Sequence, residues 1–348
     1  MLRRLACIGM IIFCMSGVWA QTMTSVDPAK FNQFVVQLKA RLEKDGFSKP
    51  LVDQAFANVR YIKRAIYKQS HQPEMKLTLD GYLKHMMVPG RISYGRYYMK
   101  KHAKLLQAIT AKYQVEPQYV VALLGLESSY GRVQGAFPEI SALTTLLYDN
   151  NRSRYFYKEL TYAMKMLQRH DVTPEEMKGS WAGAMGQPQF MPTHYYDYAV
   201  DFNHNGRKDI WNDTPDVLAS IAYSLHRYGW EYKQPVVIPV TLTRNFKQSL
   251  LGWNHIYRAE TCLKSGVQLP KGVTVDPKAP VSIVNIGEGK FMIFKNFRIL
   301  HDWNRSRYYV MAVVELAKLI SQPESIDYDK ISSMNLIAMV TSPGVVYQ

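Results

Sequence analysis

The sequence predicts a mainly helical α+β protein with a small strand-containing insert. Three observations predict it. Apolar residues recur at helical spacing through most of the chain, as at Phe31, Phe34, Val35, Leu38 and Leu42. Cap-type residues and prolines stand where such runs begin, Ser48 before Pro50 and Thr214 before Pro215 among them. Apolar segments with strand character, by contrast, are confined to a late stretch: Val236–Leu242, Val281–Ile286 and Lys290–Lys295.

The elements follow in order. Met1-Leu2-Arg3-Arg4, an apolar run from Leu5 to Met15 and the small residue Ala20 before Gln21 form a secretory signal peptide over 1–20. A helix with Phe31 on its apolar face is expected to stop at Gly46, and Ser48 to cap a second. Tyr61 to Leu79 is polar and aromatic and is expected to be a long connection. One helix is expected from Ile92 to Tyr113. Pro117 suits the first turn of the next, which runs to Ser129 and stops at Gly131. Glu139–Leu147 and Tyr155–Leu167 have helical spacing. Thr173-Pro174-Glu175-Glu176 has the pattern of a capping box and is expected to start a helix. Gly179–Thr193, rich in Gly, Met and Gln, is expected to be a loop. Thr214–Tyr228 is helical, Gly287-Glu288-Gly289 joins two strands, and Ser306–Leu319 returns to a helix. The domains expected are a helical region over 21–115, a catalytic core over 116–230, a β-containing insert over 231–300 and a C-terminal helix over 301–348.

Composition narrows the function. The chain has 348 residues, 43 Lys and Arg against 28 Asp and Glu, and a formal charge of +15. That length suffices for a large core and about two domains. The charge favours an anionic partner, and an exported chain does not meet nucleic acid. Loss of the leader removes Cys7 and Cys14 and leaves Cys262, so no internal disulfide is expected. The chain is expected in the periplasm, and a peripheral or anchored membrane association stays open.

The chemistry centres on Val120-Val121-Ala122-Leu123-Leu124-Gly125-Leu126-Glu127-Ser128-Ser129-Tyr130-Gly131. A helix apolar on nearly every side is buried, and a carboxyl at its end is costly to ionise. Burial raises a carboxyl pKa and makes a general acid available near neutral pH. A Glu paired with surface Arg or Lys is the bland alternative. The nine histidines show no metal spacing, and neither a nucleophile elbow nor a phosphate-binding glycine loop is present. Asp201-Phe202-Asn203-His204-Asn205-Gly206 places oxygen side chains at positions 1, 3 and 5 with Gly at 6, as in the start of a calcium loop. Asn212 stands where a bidentate Glu would be, so any site should be weak.

Three segments belong together: Glu127-Ser128-Ser129-Tyr130-Gly131, Gly179–Pro192 with its Ala-Met-Gly-x-x-Gln-Phe-Met-Pro run, and Trp303-Asn304-Arg305-Ser306. Here the chain resembles the B-type lytic murein transglycosylases, glycoside hydrolase family 103, from about Phe31 to Ile320. The resemblance implies a lysozyme-like helical core and cleavage between N-acetylmuramic acid and N-acetylglucosamine in peptidoglycan strands, leaving 1,6-anhydromuramic ends. It assigns the catalytic carboxyl to Glu127 and glycan or peptide contacts to Arg152, Ser180, Met185, Gln189, Phe190 and Asn304. It departs from the family at Asn151, at Thr193-His194 and at Ala222-Tyr223-Ser224. It also implies Asp201, Asn203, Asn205, the Arg207 carbonyl and Asp216 as ligands of a weakly held structural calcium ion, with no cofactor required for the chemistry. A lysozyme-like hydrolase and a non-catalytic peptidoglycan-binding protein are the competing readings. The matched segments offer no second carboxylate, but Glu139, Asp149 and Asp197 are not excluded by sequence.

Overall fold

Helix starts in this chain are set by Pro at the first turn, by Asp27, Thr78 and Ser306 as caps, and by long apolar faces. The computed structural model describes residues 27–70, 77–149 and 153–322. The leader assigned to 1–20, and Asn151 and Arg152, lie outside the described residues. In chain order the helices are α1 (Pro28–Lys44), α2 (Lys49–Phe56), α3 (Lys63–Ser70), α4 (Leu79–Met86), α5 (Pro89–Lys101), α6 (Ala103–Tyr113), α7 (Pro117–Ser128), α8 (Glu139–Asp149), α9 (Ser153–Gln168), α10 (Pro192–Tyr198), α11 (Thr214–Arg227), α12 (Ala259–Lys264), α13 (Lys295–Trp303) and α14 (Arg307–Ser321). The strands are β1 (Phe137–Pro138), β2 (Lys178–Gly179), β3 (Val237–Pro239), β4 (Thr241–Leu242), β5 (Tyr257–Arg258), β6 (Val267–Gln268), β7 (Pro280–Ile286) and β8 (Gly289–Ile293). The mainly α character expected from the sequence is what the chain adopts.

The described residues fall into two units, each made of separated stretches. One comprises residues from 75–126 and 224–348, the other residues from 10–74 and 127–223. The divisions fall inside α7, at Leu126–Glu127, and inside α11, at Tyr223–Ser224.

In the first unit α14 is buried along most of its length, from Tyr309 to Ile320, and packs on α4, α5 and α13. The Arg96 side chain reaches the last turn and donates to the Leu319 carbonyl at 3.0 Å. The antiparallel sheet runs in the order β3-β8-β7-β5. Its apolar side chains Ile238, Ile283 and Met292 share a core with Cys262 of α12. Burial pushes the Cys262 thiol up, so this cysteine is packing rather than chemistry.

In the second unit α8 has no exposed side chain from Glu139 to Leu147. Helix α9 lies against it through Phe156, Leu160, Ala163, Met164 and Leu167, and α10 packs on α9. Full burial of each large apolar side chain contributes roughly 1.5–3 kcal/mol. Helices α1–α3 cover the rest of α8. The backbone N–H groups of Arg60 and Ile62 donate to Ser141 Oγ and Thr145 Oγ1, so these buried hydroxyls are satisfied. Phe31 stands edge-on to Tyr61 and Tyr148 at 5.4 Å.

Several expected elements differ. The helix expected over Ile92–Tyr113 is two, broken at His102 (φ −105°, ψ 19°). The expected connection Tyr61–Leu79 contains α3. Ser48 precedes α2 but makes no side-chain cap bond. The Thr173–Glu176 box forms, with Glu176 Oε2 accepting from the Thr173 N–H and Thr173 Oγ1 accepting from the Glu176 N–H, yet no helix follows. Lys178 and Gly179 instead pair with Pro138 and Phe137 as β2 and β1, and this tertiary pairing outcompetes a local helix start. The expected strand Val236–Leu242 splits into β3 and β4, which join different sheets. The hairpin at Gly287-Glu288 is as expected, with Gly287 at φ 56°.

Candidate active site

The site is built in the second unit from the end of α7 and the loop between β2 and α10. Val120 to Leu124 are completely buried, and the same helix carries Glu127 into an environment where it is 5% exposed. The helix ends at Ser128, one residue before the expected Ser129. Ser129 (φ 51°), Tyr130 (φ 60°) and Gly131 (φ 83°) take left-handed backbone in succession. For the two non-glycine residues this costs roughly 1–2 kcal/mol each, strain of a kind that collects at functional sites. Ser128 holds the turn: its Oγ accepts from the Gly131 N–H at 2.9 Å and its carbonyl from the Val133 N–H at 2.8 Å. A Cβ at Gly131 would collide with the Gln187 amide. Glycine there lets the turn after Glu127 touch the loop.

The loop closes on itself by backbone bonds. Ser180 N–H donates to Ala184 O at 2.7 Å, and Met185 and Phe190 exchange N–H···O bonds of 2.8 and 3.0 Å. Ser180, 1% exposed, accepts at Oγ from the N–H groups of Ala182 and Ala184. Gln187 donates to the Trp211 carbonyl at 2.8 Å. Gln189, at φ 53°, donates from Nε2 to the carbonyls of Gln134 and Gly186, and its buried Oε1 has no protein partner. Met185 and Phe190 were expected to touch substrate. Both are essentially fully buried, 0% and 1% exposed, as Ser180 is, and their paired backbone groups brace the loop. Phe190 packs on His194 at 4.8 Å between ring centres, and burial lowers the His194 pKa to about 3, which keeps that imidazole neutral.

The other carboxyls of this unit are differently placed. Glu159 accepts from the Thr193 N–H and hydroxyl, both at 2.9 Å. Burial pushes it up, and the Thr193 bonds oppose that shift. Asp216 accepts from the N–H groups of Phe202 and Asp209. Asp149 is exposed and takes the Tyr61 hydroxyl, and Asp197 is exposed. Glu139 is wholly buried. Asn304 belongs to the first unit, where its Oδ1 accepts from the Ser306 N–H at 3.1 Å ahead of α14.

The 201–216 loop gathers oxygen donors. Asp201 accepts at both carboxylate oxygens, from the N–H groups of Asn205 and Gly206; Asn203 Oδ1 also faces the Asn205 N–H, and Asn205 Oδ1 accepts from Arg207. Sequence reading missed Asp213, which takes the side-chain amides of both Asn203 and Asn205 at Oδ2, while its buried Oδ1 has no partner. Among the described residues no group of three or more His, Cys, Asp or Glu side chains stands at metal-binding spacing. The loop offers two carboxylates, two amides and a carbonyl, an all-oxygen set that suits a hard cation, and the orphaned Asp213 oxygen adds negative potential beside it. Residues and hypothetical ion therefore fit.

Residues 30–318 match the transglycosylase SLT domain family. The membrane-bound lytic murein transglycosylase B of Escherichia coli (strain K12) is 28% identical over 248 residues, 69% of this chain and 66% of that protein. The chain thus spans slightly under two thirds of that relative. SltB3 from Pseudomonas aeruginosa, solved in complex with NAG-anhNAM-pentapeptide, is 33% identical with a TM-score of 0.79, over 84% of this chain and 79% of that one. SltB1 from Pseudomonas aeruginosa is 28% identical with a TM-score of 0.74, over 82% and 98%. The Escherichia coli lytic transglycosylase Slt35, solved in complex with calcium, is 25% identical with a TM-score of 0.70, over 84% and 92%.

Proposed function

The chain belongs to the transglycosylase SLT domain family, and on that premise we propose that it is a lytic transglycosylase of peptidoglycan. It cleaves the β-1,4 bond between N-acetylmuramic acid and N-acetylglucosamine. Glu127 gives a proton to the bridging oxygen as the C1–O bond breaks. The C6 hydroxyl of the same muramic ring attacks C1, and its proton returns to Glu127. No water is consumed, and the product ends are 1,6-anhydromuramic acid. The observation that carries this reading is a carboxyl 5% exposed at the end of an apolar helix, directly before the left-handed turn that meets the Gly179–Pro192 loop. Intramolecular attack has a large effective molarity and removes the need for a second carboxylate. Ser180, Gln189, Arg152 and Asn304 are proposed to bind the glycan and its peptides. Asp201, Asn203, Asn205, the Arg207 carbonyl and Asp216 are proposed to hold calcium, which would stiffen the loop and take no part in the chemistry. The leader-like start supports export to the periplasm, and the +15 charge suits an anionic polymer. No helix among the described residues is long and apolar enough to cross a membrane.

The test is Glu127→Gln, which keeps the shape and loses the transferable proton. Clearing of cell-wall gels should fall by about 10²–10⁴-fold or more with the melting temperature nearly unchanged. A folded variant with over half of the native turnover would remove Glu127 from the chemistry.

A further inference from the structure

Glu139 has no role in the mechanism above, yet its placement is unusual. It opens α8, directly after β1, with no solvent exposure, and neither carboxyl oxygen has a hydrogen-bond partner. Its main chain is satisfied, the N–H donating to Met177 O at 3.0 Å. Its side chain lies beneath the turn that carries Ser180, Trp181 and Ala182. A methyl added at Gly183 would sit 2.9 Å from Oε1, and one added at Gly179 would sit 2.9 Å from Oε2. The two glycines that bracket the turn thus both lie against this one carboxyl, as well as against Ala184 O and Leu143.

The surroundings decide its charge. Burial, and then the neighbouring Glu159 of α9, push the Glu139 carboxyl well above the usual range. Among the described residues, Glu159 is the charged group that acts on it. Glu159 itself feels Lys158 and Asp197 and is held by Thr193. From Gly179 to Met191 the loop has no ionisable side chain, the buried His194 of α10 is neutral, and Lys178 of β2 is exposed. A carboxylate here would be an uncompensated buried charge beside a second acid, which is costly. To reach water it would have to displace the glycines above it.

We propose that Glu139 positions the Ser180–Ala182 turn as a neutral acid, and that release of its proton to solvent lifts the turn and abolishes glycan binding. The proposal rests on the assignment of Ser180 to the glycan site. It makes Glu139 a positioning residue, because its effect on substrate passes through the turn.

The experiment follows two readouts between about pH 5 and 9: release of soluble fragments from purified peptidoglycan, and tryptophan emission of the protein alone. Trp181 lies in the turn and is 5% exposed, so lifting the turn exposes it; Trp181→Phe identifies its share of the signal. The native protein should show an alkaline change in Trp181 emission in step with loss of activity. Glu139→Gln should keep at least half of the neutral-pH activity, lack the emission change and hold activity at least about tenfold further into alkali in proton concentration. Glu139→Met, which also cannot ionise, carries the same expectation where the amide disturbs folding. Two results overturn the proposal: no Trp181 change in the native protein, or variant profiles that overlay the native ones. Loss of the Glu127 proton would stop cleavage without moving Trp181. A native protein inert on peptidoglycan at every pH would instead overturn the proposed function, with the emission change still reporting on Glu139.

Discussion

Glu127 is the residue that sequence reveals most directly, because eleven positions from Pro117 contain no other charge and a helix apolar all round has to be buried. Glu139 shows the opposite case. It precedes an ordinary apolar helix, and nothing local distinguishes it from a solvated first-turn acid, which favours the helix N-terminus. Its burial is created by β2 and the Gly179–Gly183 turn, which arrive from forty residues downstream. The consequence for stability has a definite sign. In the unfolded chain this carboxyl titrates near its ordinary 4.5, whereas in the native chain it keeps its proton to higher pH. Above the ordinary value the unfolded state therefore binds fewer protons, and stability falls as pH rises until the raised native value is passed. The slope from one such group is at most about 1.4 kcal/mol per pH unit. Glu139→Gln should remove it, so the melting temperature of the variant relative to the native protein should climb from pH 5 to pH 8. A difference that stays flat across that range would show that Glu139 is ionised in the folded protein.

Elements were legible where a long apolar face met a clear stop, as in α1, α8, α9 and α14. They were not legible where local and tertiary preferences disagree. The Thr173–Glu176 box satisfies its own backbone groups, but the residues after it are taken by β1. Helix α3 has a mostly polar sequence, and helices this short depend on the packing they find. The loop after β2 was read correctly as irregular, whereas the burial of Met185 and Phe190 within it needed the backbone pairing that the sequence does not display. The 201–216 loop was visible from its spacing, although Asp213 was not. With amides at two ligand positions its affinity for calcium should be millimolar rather than nanomolar. A hundredfold excess of calcium over its Kd should stabilise the protein by about 2.7 kcal/mol, seen as a higher melting temperature than in chelator, and Asp201→Ala should abolish the shift. Identical melting curves in chelator and in calcium at several times that range would leave the loop as a set of Asx turns.

At the scale of the whole molecule, the sequence gives charge and fold class more readily than the division into units. The two units are assembled from stretches far apart in the chain, and the sequence carries no local mark of where α7 and α11 divide between them. The +15 charge is scattered and acts at long range on an anionic polymer. The screening length is about 10 Å at 0.1 M salt and about 3 Å at 1 M. Salt should therefore raise the KM for peptidoglycan strongly and leave kcat nearly constant, and a KM independent of salt would remove long-range attraction from the account.

The central claim is that the substrate's own C6 hydroxyl, and not water, attacks C1. The mass of the soluble fragments released from purified peptidoglycan tests it most directly. Anhydromuramic ends, lighter than hydrolysed ends by one water or about 18 mass units, are the expected main product because the nucleophile is intramolecular. Reducing muramic ends as the main product would contradict the claim and make the protein a hydrolase.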